Sequence, residues 1–256
     1  MNQPKADISK MTNAINHDFK LKISSALLIL FLCIIWPLAI SLFFQAPADY
    51  DQIEDINPIL NFYLPTIGFQ LIVLFFTFLI SRGEGSGIVA LGYRKFKLTH
   101  IIYAIIFIFA SSFVLRLIKI ILENFQFLKF QDPSPLLPQT AEGKLIWLLM
   151  CLVVAFTEET AYRGYLITRL QRVFKSLPLA VIIATAGFAA GHLYQGIGGA
   201  VLLFFYGLMF ALLYLATRSL WPCVIAHFIH NALPIFLQGT DSFAAILLIS
   251  PFNSNI

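Results

Sequence analysis

The stretch Leu145–Gly164 reads LIWLLMCLVVAFTEETAYRG, and it decides how the rest of the chain is interpreted. Its first twelve residues are apolar, and after Thr157 come Glu158, Glu159 and, four residues further on, Arg163. A charged side chain at the centre of a membrane helix costs roughly 2.5–3.5 kcal/mol on insertion scales, so such residues are retained where they face one another or a water-filled cavity. The stretch therefore predicts a membrane helix that carries a buried polar site.

The composition of the whole chain agrees with a membrane protein. The chain has 256 residues, of which 59% are hydrophobic and 12% are charged, whereas about 25% charged is usual in soluble domains. Its three cysteines, Cys33, Cys151 and Cys223, each lie within an apolar segment and show no disulfide or zinc-finger spacing. These features predict one polytopic membrane domain, and they argue against an ordinary soluble domain.

The apolar residues occur in long blocks, and a spanning helix needs about 20 of them. Eight blocks can be delimited, the last of them short: Ile23–Phe44, Ile59–Ile80, Ile101–Leu122, the block from Leu145 through Glu158, Pro178–Tyr194, Gly198–Thr217, Pro222–Leu237 and Ser242–Phe252. The sequence therefore predicts an all-α fold, a polytopic membrane helical bundle of about eight transmembrane segments.

The charges between these segments alternate. Three regions are basic: the N-terminal tail, with Lys5, Lys10, Lys20 and Lys22; residues 82–97; and the region after the fourth segment, with Arg163, Arg169, Arg172 and Lys175. The regions between them are acidic or carry few basic residues. Cytoplasmic loops are enriched in Lys and Arg, so this pattern predicts a cytoplasmic N-terminus. It also explains the net charge of +4 without a nucleic-acid partner.

The polar residues of the fourth segment are expected to have different roles. Glu159 and Arg163 are four residues apart, so they share a helix face and can form an ion pair. Glu158 is rotated by about 100° from Glu159 and has no such partner in its own helix. A carboxylate in this position, partly removed from water, suits a general base.

Two later segments carry polar residues at the same helical spacing. His192 follows Phe188 by four residues on the fifth segment, and Asn231 follows His227 by four residues on the seventh. A carboxylate base, two imidazoles and a carboxamide can activate a water molecule and stabilise a tetrahedral oxyanion. No serine or cysteine occupies a comparable position beside a base, so a covalent nucleophile is not indicated.

A zinc site is the alternative use of the same side chains. His192, His227 and Glu158 could hold a zinc ion that activates the water. The His-Glu-x-x-His helix that usually signals such a site is absent from the sequence. The residues alone leave both mechanisms open.

The order of these motifs on successive segments resembles that of the CPBP family, the CAAX prenyl protease and bacteriocin-processing family, also called the Abi family. The matching motifs are Glu158-Glu159-x-x-x-Arg163, Phe188-x-x-x-His192 and His227-x-x-x-Asn231. The resemblance implies an intramembrane endopeptidase in a prokaryotic cell membrane. It also implies a role for each residue: Glu158 as the base, His192 as its partner on the water or metal, His227 and Asn231 as ligands of the oxyanion or a second metal position, and Glu159 and Arg163 as supporting residues.

The resemblance also suggests a division of the chain and a class of substrate. We expect a cytoplasmic tail (1–22), N-terminal transmembrane helices (23–144), a catalytic core (145–237) and a C-terminal segment (238–256). Family members cleave the last three residues from prenylated CAAX proteins or are linked to bacteriocin maturation and self-immunity. The expected partners are a peptide or protein substrate, lipidated or not, and the lipid bilayer.

Two other classes of function fit the same residues. One is a non-catalytic membrane protein of this fold that confers immunity by binding a peptide. The other is a transporter or proton relay, because buried Glu and His also suit ion paths. All candidate polar residues fall in the second half of the chain, whereas many transporters repeat a broken helix in both halves.

Overall fold

A computed structural model describes residues 22–43, 57–125 and 136–237 of the chain, and within them every regular element is helical. Helix α1 is continuous through three segments, Ile23–Leu30, Phe31–Ile35 and Trp36–Phe43. The other helices are α2 (Ile59–Gly83), α3 (Thr99–Glu123), α4 (Ala141–Phe174), α5 (Leu177–Ala190), α6 (Gly196–Thr217), α7 (Trp221–Ala232) and α8 (Pro234–Leu237). Short 3₁₀ turns occupy Ile88–Leu91 and Leu193–Gln195.

The predicted all-α class is confirmed for the described residues, but the count of eight segments is not. Among the residues that the structure describes, four helical stretches are long and apolar enough to cross a membrane: Ile59–Gly83, Thr99–Glu123, Ala141–Phe174 and Leu193–Thr217. Three shorter apolar helices, Ile23–Ala39, Leu177–Ala190 and Trp221–Leu237, correspond to the other predicted segments. The predicted segment Ser242–Phe252 and most of the N-terminal tail lie outside the described residues.

Helix α4 organises the molecule, because it contacts α2, α5 and α7. It begins where the hydroxyl of Thr140 accepts a hydrogen bond from the backbone N–H of Gly143 at 3.1 Å, an N-cap that satisfies one of the first unpaired donors. Its hydrogen bonding changes from α to π at Glu159–Leu166. Stretches of π-helix are rare and often mark functional sites; this one begins directly after Glu158 and holds Glu159 and Arg163.

The π-segment of α4 packs tightly against the turn Ile88–Leu91. A Cβ atom at Gly164 would collide with the carbonyl oxygen of Leu91 and would lie 3.1 Å from Leu220 Cδ1. The turn itself is held in place by Gly92, whose carbonyl accepts from the backbone N–H of Leu220 at 3.0 Å. The chain before residue 140 is therefore in direct contact with the helix that carries the polar motif.

Gly164→Ala is expected to destabilise the protein, because the backbone of Leu91 cannot move aside without disturbing this turn. The strain of overpacking, about 1–3 kcal/mol, outweighs the gain of roughly 1 kcal/mol that alanine brings to a helix interior. Gly68→Ala in α2 is the matched control, since a Cβ there meets nothing within 4 Å. In thermal melts in detergent, Gly68→Ala should unfold at or above the parent temperature. An equal or higher melting temperature for Gly164→Ala would contradict this packing.

A buried ion pair joins α2 to the C-terminal part of α4. Arg169 donates to Glu84 Oε2 from Nε at 2.9 Å and from Nη2 at 2.6 Å, and Ser25 of α1 donates to Glu84 Oε1. Arg169 is only 1% exposed. The guanidinium groups of Arg163 and Arg169, which the sequence analysis placed among the basic residues after the fourth segment, are both buried within the protein and paired with carboxylates.

Candidate active site

Glu159 is the centre of the polar cluster. Its side chain is fully buried, and Oε1 accepts hydrogen bonds from Arg163 Nη1 at 2.9 Å and from His227 Nδ1 at 2.8 Å. The predicted i, i+4 contact between Glu159 and Arg163 is present. Because a carboxylate only accepts hydrogen bonds, the proton of the second contact lies on His227 Nδ1.

The guanidinium group of Arg163 is buried and contacts a backbone carbonyl and two aromatic rings in addition to Glu159. Its Nη2 donates to the carbonyl of Gly207 at 3.2 Å, and its guanidinium carbon lies 4.6 Å from the ring centre of Phe188 and 5.1 Å from that of Phe210. Arginine stacks on aromatic faces and donates in fixed directions. Arg163 therefore connects α4 to α5 and α6, and it neutralises Glu159 at the same time.

His227 lies between the two neighbouring carboxylates. Its Nδ1 contacts Glu159, while its Nε2 is 3.7 Å from Glu158 Oε2. The two nitrogens lie on different edges of the imidazole, so one ring reaches both side chains even though they leave the helix in different directions. A neutral ring presents the lone pair of Nε2 towards Glu158, and a protonated ring presents an N–H.

Glu158 has a partner that the sequence did not indicate. Its Oε1 accepts from Gln70 Nε2 of α2 at 2.9 Å, and its Oε2 is buried and makes no hydrogen bond to the described residues. The side chain is 13% exposed. Glu158 has no partner in its own helix, as expected, but it is bound from another helix. A single glutamine in an apolar helix, 88 residues away, gives no local sequence signal of this contact.

His192 lies just after α5, not within it. Its Nδ1 is 2.8 Å from the carbonyl of Phe188, so Nδ1 carries a proton and Nε2 is the acceptor nitrogen of the neutral ring. The ring lies 4.7 Å from the ring of Phe188 and 6.0 Å from that of Tyr194. In the described part of the chain, no hydrogen bond or ion pair joins His192 to Glu158, Glu159 or His227.

Asn231 is half-buried, one helical turn beyond His227 on α7. Its backbone carbonyl accepts from Trp147 Nε1 of α4 at 3.0 Å. This bond fixes the end of α7 against α4. The carboxamide of Asn231 and the imidazole of His227 are thereby held on the same face of α7.

A second polar cluster, also absent from the sequence analysis, lies behind His227. His230 is 7% exposed; its Nε2 is 3.1 Å from Ser112 Oγ of α3, and its Nδ1 contacts the hydroxyl of Tyr206 of α6. These bonds fix the rotation of α7 between two neighbouring helices. Since His230 is three residues after His227, the same rotation determines where His227 points.

The zinc alternative can be tested on the arrangement of the side chains. Within residues 22–43, 57–125 and 136–237, no three His, Cys, Asp or Glu side chains lie close enough together to hold a metal ion. His227 and Glu158 approach each other, but His192 does not join them. The described side chains therefore do not form a zinc site, and no step below depends on one.

A known protein family matches the part of the chain that holds the polar motifs. Residues 140–233, a little over a third of the chain, match the family model described as type II CAAX prenyl endopeptidase Rce1-like. No curated protein and no solved structure matches the chain. The match covers all the motif residues from Glu158 to Asn231. A match to a protease family implies a peptide or protein substrate. The long apolar helices, together with this match, indicate an integral membrane protein. Residues 140–233, which hold the polar motifs, are therefore similar to the Rce1-like type II CAAX prenyl endopeptidases, a CPBP family of proteases, and this match supports the resemblance seen in the sequence.

Proposed function

We propose that this protein hydrolyses a peptide bond within the membrane by means of a water molecule activated by Glu158. The observation that carries the proposal is the position of His227, which is bound through Nδ1 to Glu159 and faces Glu158 Oε2 with Nε2 at 3.7 Å. This distance exceeds that of a hydrogen bond. The base and the imidazole are therefore adjacent without a direct hydrogen bond between them.

In the proposed reaction, Glu158 Oε2 takes a proton from the water as its oxygen attacks the carbonyl carbon. The bond to the carbonyl oxygen loses its double character, and a tetrahedral oxyanion forms. His227 in its protonated form donates from Nε2 to that oxyanion, since the Glu159 carboxylate at Nδ1 stabilises the positive ring. Glu158 then returns the proton to the leaving amine as the C–N bond breaks.

His192 and Asn231 complete the proposed site from neighbouring elements. With Nδ1 bound to the Phe188 carbonyl, His192 has Nε2 available to accept from the attacking water, so it acts with Glu158 through that water. Asn231 supplies a carboxamide N–H to the oxyanion beside His227. Catalytic hydrogen bonds often form only once substrate is bound, which is consistent with the separate position of His192.

Removal of metal tests this mechanism directly. Because the described His and Glu side chains do not assemble into a metal site, turnover is expected to be unchanged after dialysis against a chelator. The measurement is cleavage of a reporter peptide before dialysis, after dialysis and after zinc is restored. Loss of activity on dialysis with recovery on addition of zinc would replace the proposed mechanism with a metal-dependent one.

The proposed substrates are peptides with a lipidated or apolar C-terminal region, of the CAAX type or the bacteriocin type. We would incubate the purified protein in liposomes with matched peptides ending in a CAAX sequence, one with a prenylated cysteine and one without. Mass spectrometry should show loss of the last three residues. Tight binding of these peptides without cleavage would instead favour the non-catalytic immunity protein.

We also propose that the N-terminus is cytoplasmic and that residues 145–237 form the catalytic core. The alternating charge of the connections supports this orientation. The N-terminal tail and residues 82–97 each carry four of the basic residues that define the pattern. Digestion of an N-terminal tag in spheroplasts, which should occur only after lysis, tests the orientation.

A further inference from the structure

Gln70 lies outside the region that matches the family, yet it contacts the proposed base. It is in the middle of α2, is 9% exposed, and donates from Nε2 to Glu158 Oε1 at 2.9 Å. A buried amide is costly unless it is hydrogen-bonded. The donor of this amide is directed to a carboxylate on another helix.

A second bond fixes the backbone at the same place. Thr157 Oγ1 donates to the backbone carbonyl of Gln70 at 3.2 Å. Thr157 directly precedes Glu158, so the main chain and the side chain of Gln70 are both attached to consecutive residues of α4. The position of the Gln70 amide relative to Glu158 is therefore set by the packing of α2 on α4.

If Gln70 had a purely structural role, its amide could be satisfied within its own helix. Thr77, a buried residue of the same helix, satisfies its hydroxyl within α2 by donating to the carbonyl of Val73 at 2.8 Å. Gln70 instead donates to Oε1 of Glu158 and does not bind the other carboxylate oxygen, Oε2. Because Oε1 is occupied by the amide, Oε2 is the oxygen that faces His227 Nε2.

We propose that Gln70 is a positioning residue for the hydrolytic reaction, which holds Glu158 Oε1 so that Oε2 is the atom that takes the proton from water. This inference rests on the proposed function, in which Glu158 is the base. Hydrogen bonds to ionised groups are about twice as strong as neutral ones. The amide therefore limits the rotation of the carboxylate about its last bond.

The kinetic test compares Gln70→Met with Thr77→Val. Methionine keeps the length of the side chain and removes the donor, so we expect kcat to fall between about 10- and 100-fold with KM unchanged, as for a misplaced catalytic group. Thr77→Val removes a buried hydroxyl of the same helix and should leave kcat unchanged. Gln70→Met with the parent kcat, or with only KM raised, would overturn the inference.

A second measurement does not require a substrate. Gln70→Met is expected to lower the melting temperature in the parent, because Glu158 Oε1 loses its donor. In a Glu158→Leu background the same change should leave the melting temperature equal or raise it, because the amide has already lost its acceptor. Thr77→Val should give the same shift in both backgrounds. An equal effect of Gln70→Met in both backgrounds would show that the two side chains are not coupled.

The two proposals can fail separately. If Glu158→Gln retains turnover, the assignment of Glu158 as base is wrong, whatever Gln70 does. If Glu158→Gln is inactive but Gln70→Met turns over like the parent, only the role of Gln70 is overturned.

Discussion

Glu158→Gln is expected to lower kcat by at least about 100-fold while the protein still folds and inserts. General bases contribute about 10²–10⁴-fold, and a glutamine side chain cannot take a proton from water at neutral pH. Its amide oxygen can still accept from Gln70 Nε2, which lies 2.9 Å from Glu158 Oε1 in the parent. The substitution thus removes the proposed chemistry and retains the contact between α2 and α4.

The measurement is the initial rate of reporter cleavage, with a thermal melt of the same preparation. Glu142→Gln is the matched control, because it makes the same chemical change at an exposed position in the first turn of α4. It should cleave at the parent rate. Normal turnover by Glu158→Gln would end the water-activation mechanism.

Arg163→Ala is expected to have the largest effect on stability. Among the described residues, it leaves the fully buried carboxylate of Glu159 with His227 as its one remaining partner, and it empties the space between Phe188 and Phe210. Removal of one partner of a buried ion pair typically costs about 3–5 kcal/mol. We expect a large decrease in melting temperature and in the yield of folded protein.

Two further variants show whether the ion pair is responsible. Arg94→Ala removes an exposed guanidinium and should change the free energy of unfolding by no more than about 0.5 kcal/mol. Adding Glu159→Leu to Arg163→Ala removes the stranded carboxylate and should recover part of the lost stability. A melting temperature for Arg163→Ala equal to that of the parent would contradict the pairing.

Local patterns in the sequence predicted much of the fold. The predicted second segment, Ile59–Ile80, corresponds to Ile59–Gly83 in the structure, and the third, Ile101–Leu122, corresponds to Thr99–Glu123. The contact between Glu159 and Arg163 was predictable too, because a spacing of four residues places both side chains on one helix face. Apolar runs and helical spacing are properties of residues that are close together in the chain, so the sequence shows them directly.

Contacts between distant residues could not be predicted in the same way. The approach of His227 to both Glu158 and Glu159 depends on how α7 packs against α4, and no spacing within either helix encodes it. Gln70 was missed for the same reason. The pairing of Arg169 was not predicted because its partner, Glu84, is 85 residues away, so the sequence alone showed a basic residue near other basic residues.

The buried pair of Glu84 and Arg169 has a consequence for biosynthesis. Glu84 and Ser25 leave the ribosome well before Arg169, so the carboxylate is present for some time without its guanidinium partner. Final closure of the bundle must therefore wait until the second half of the chain has been made. An arrangement of the early helices that failed to bring Glu84 to Arg169 would leave two charges unpaired, and this penalty favours correct assembly of the two halves.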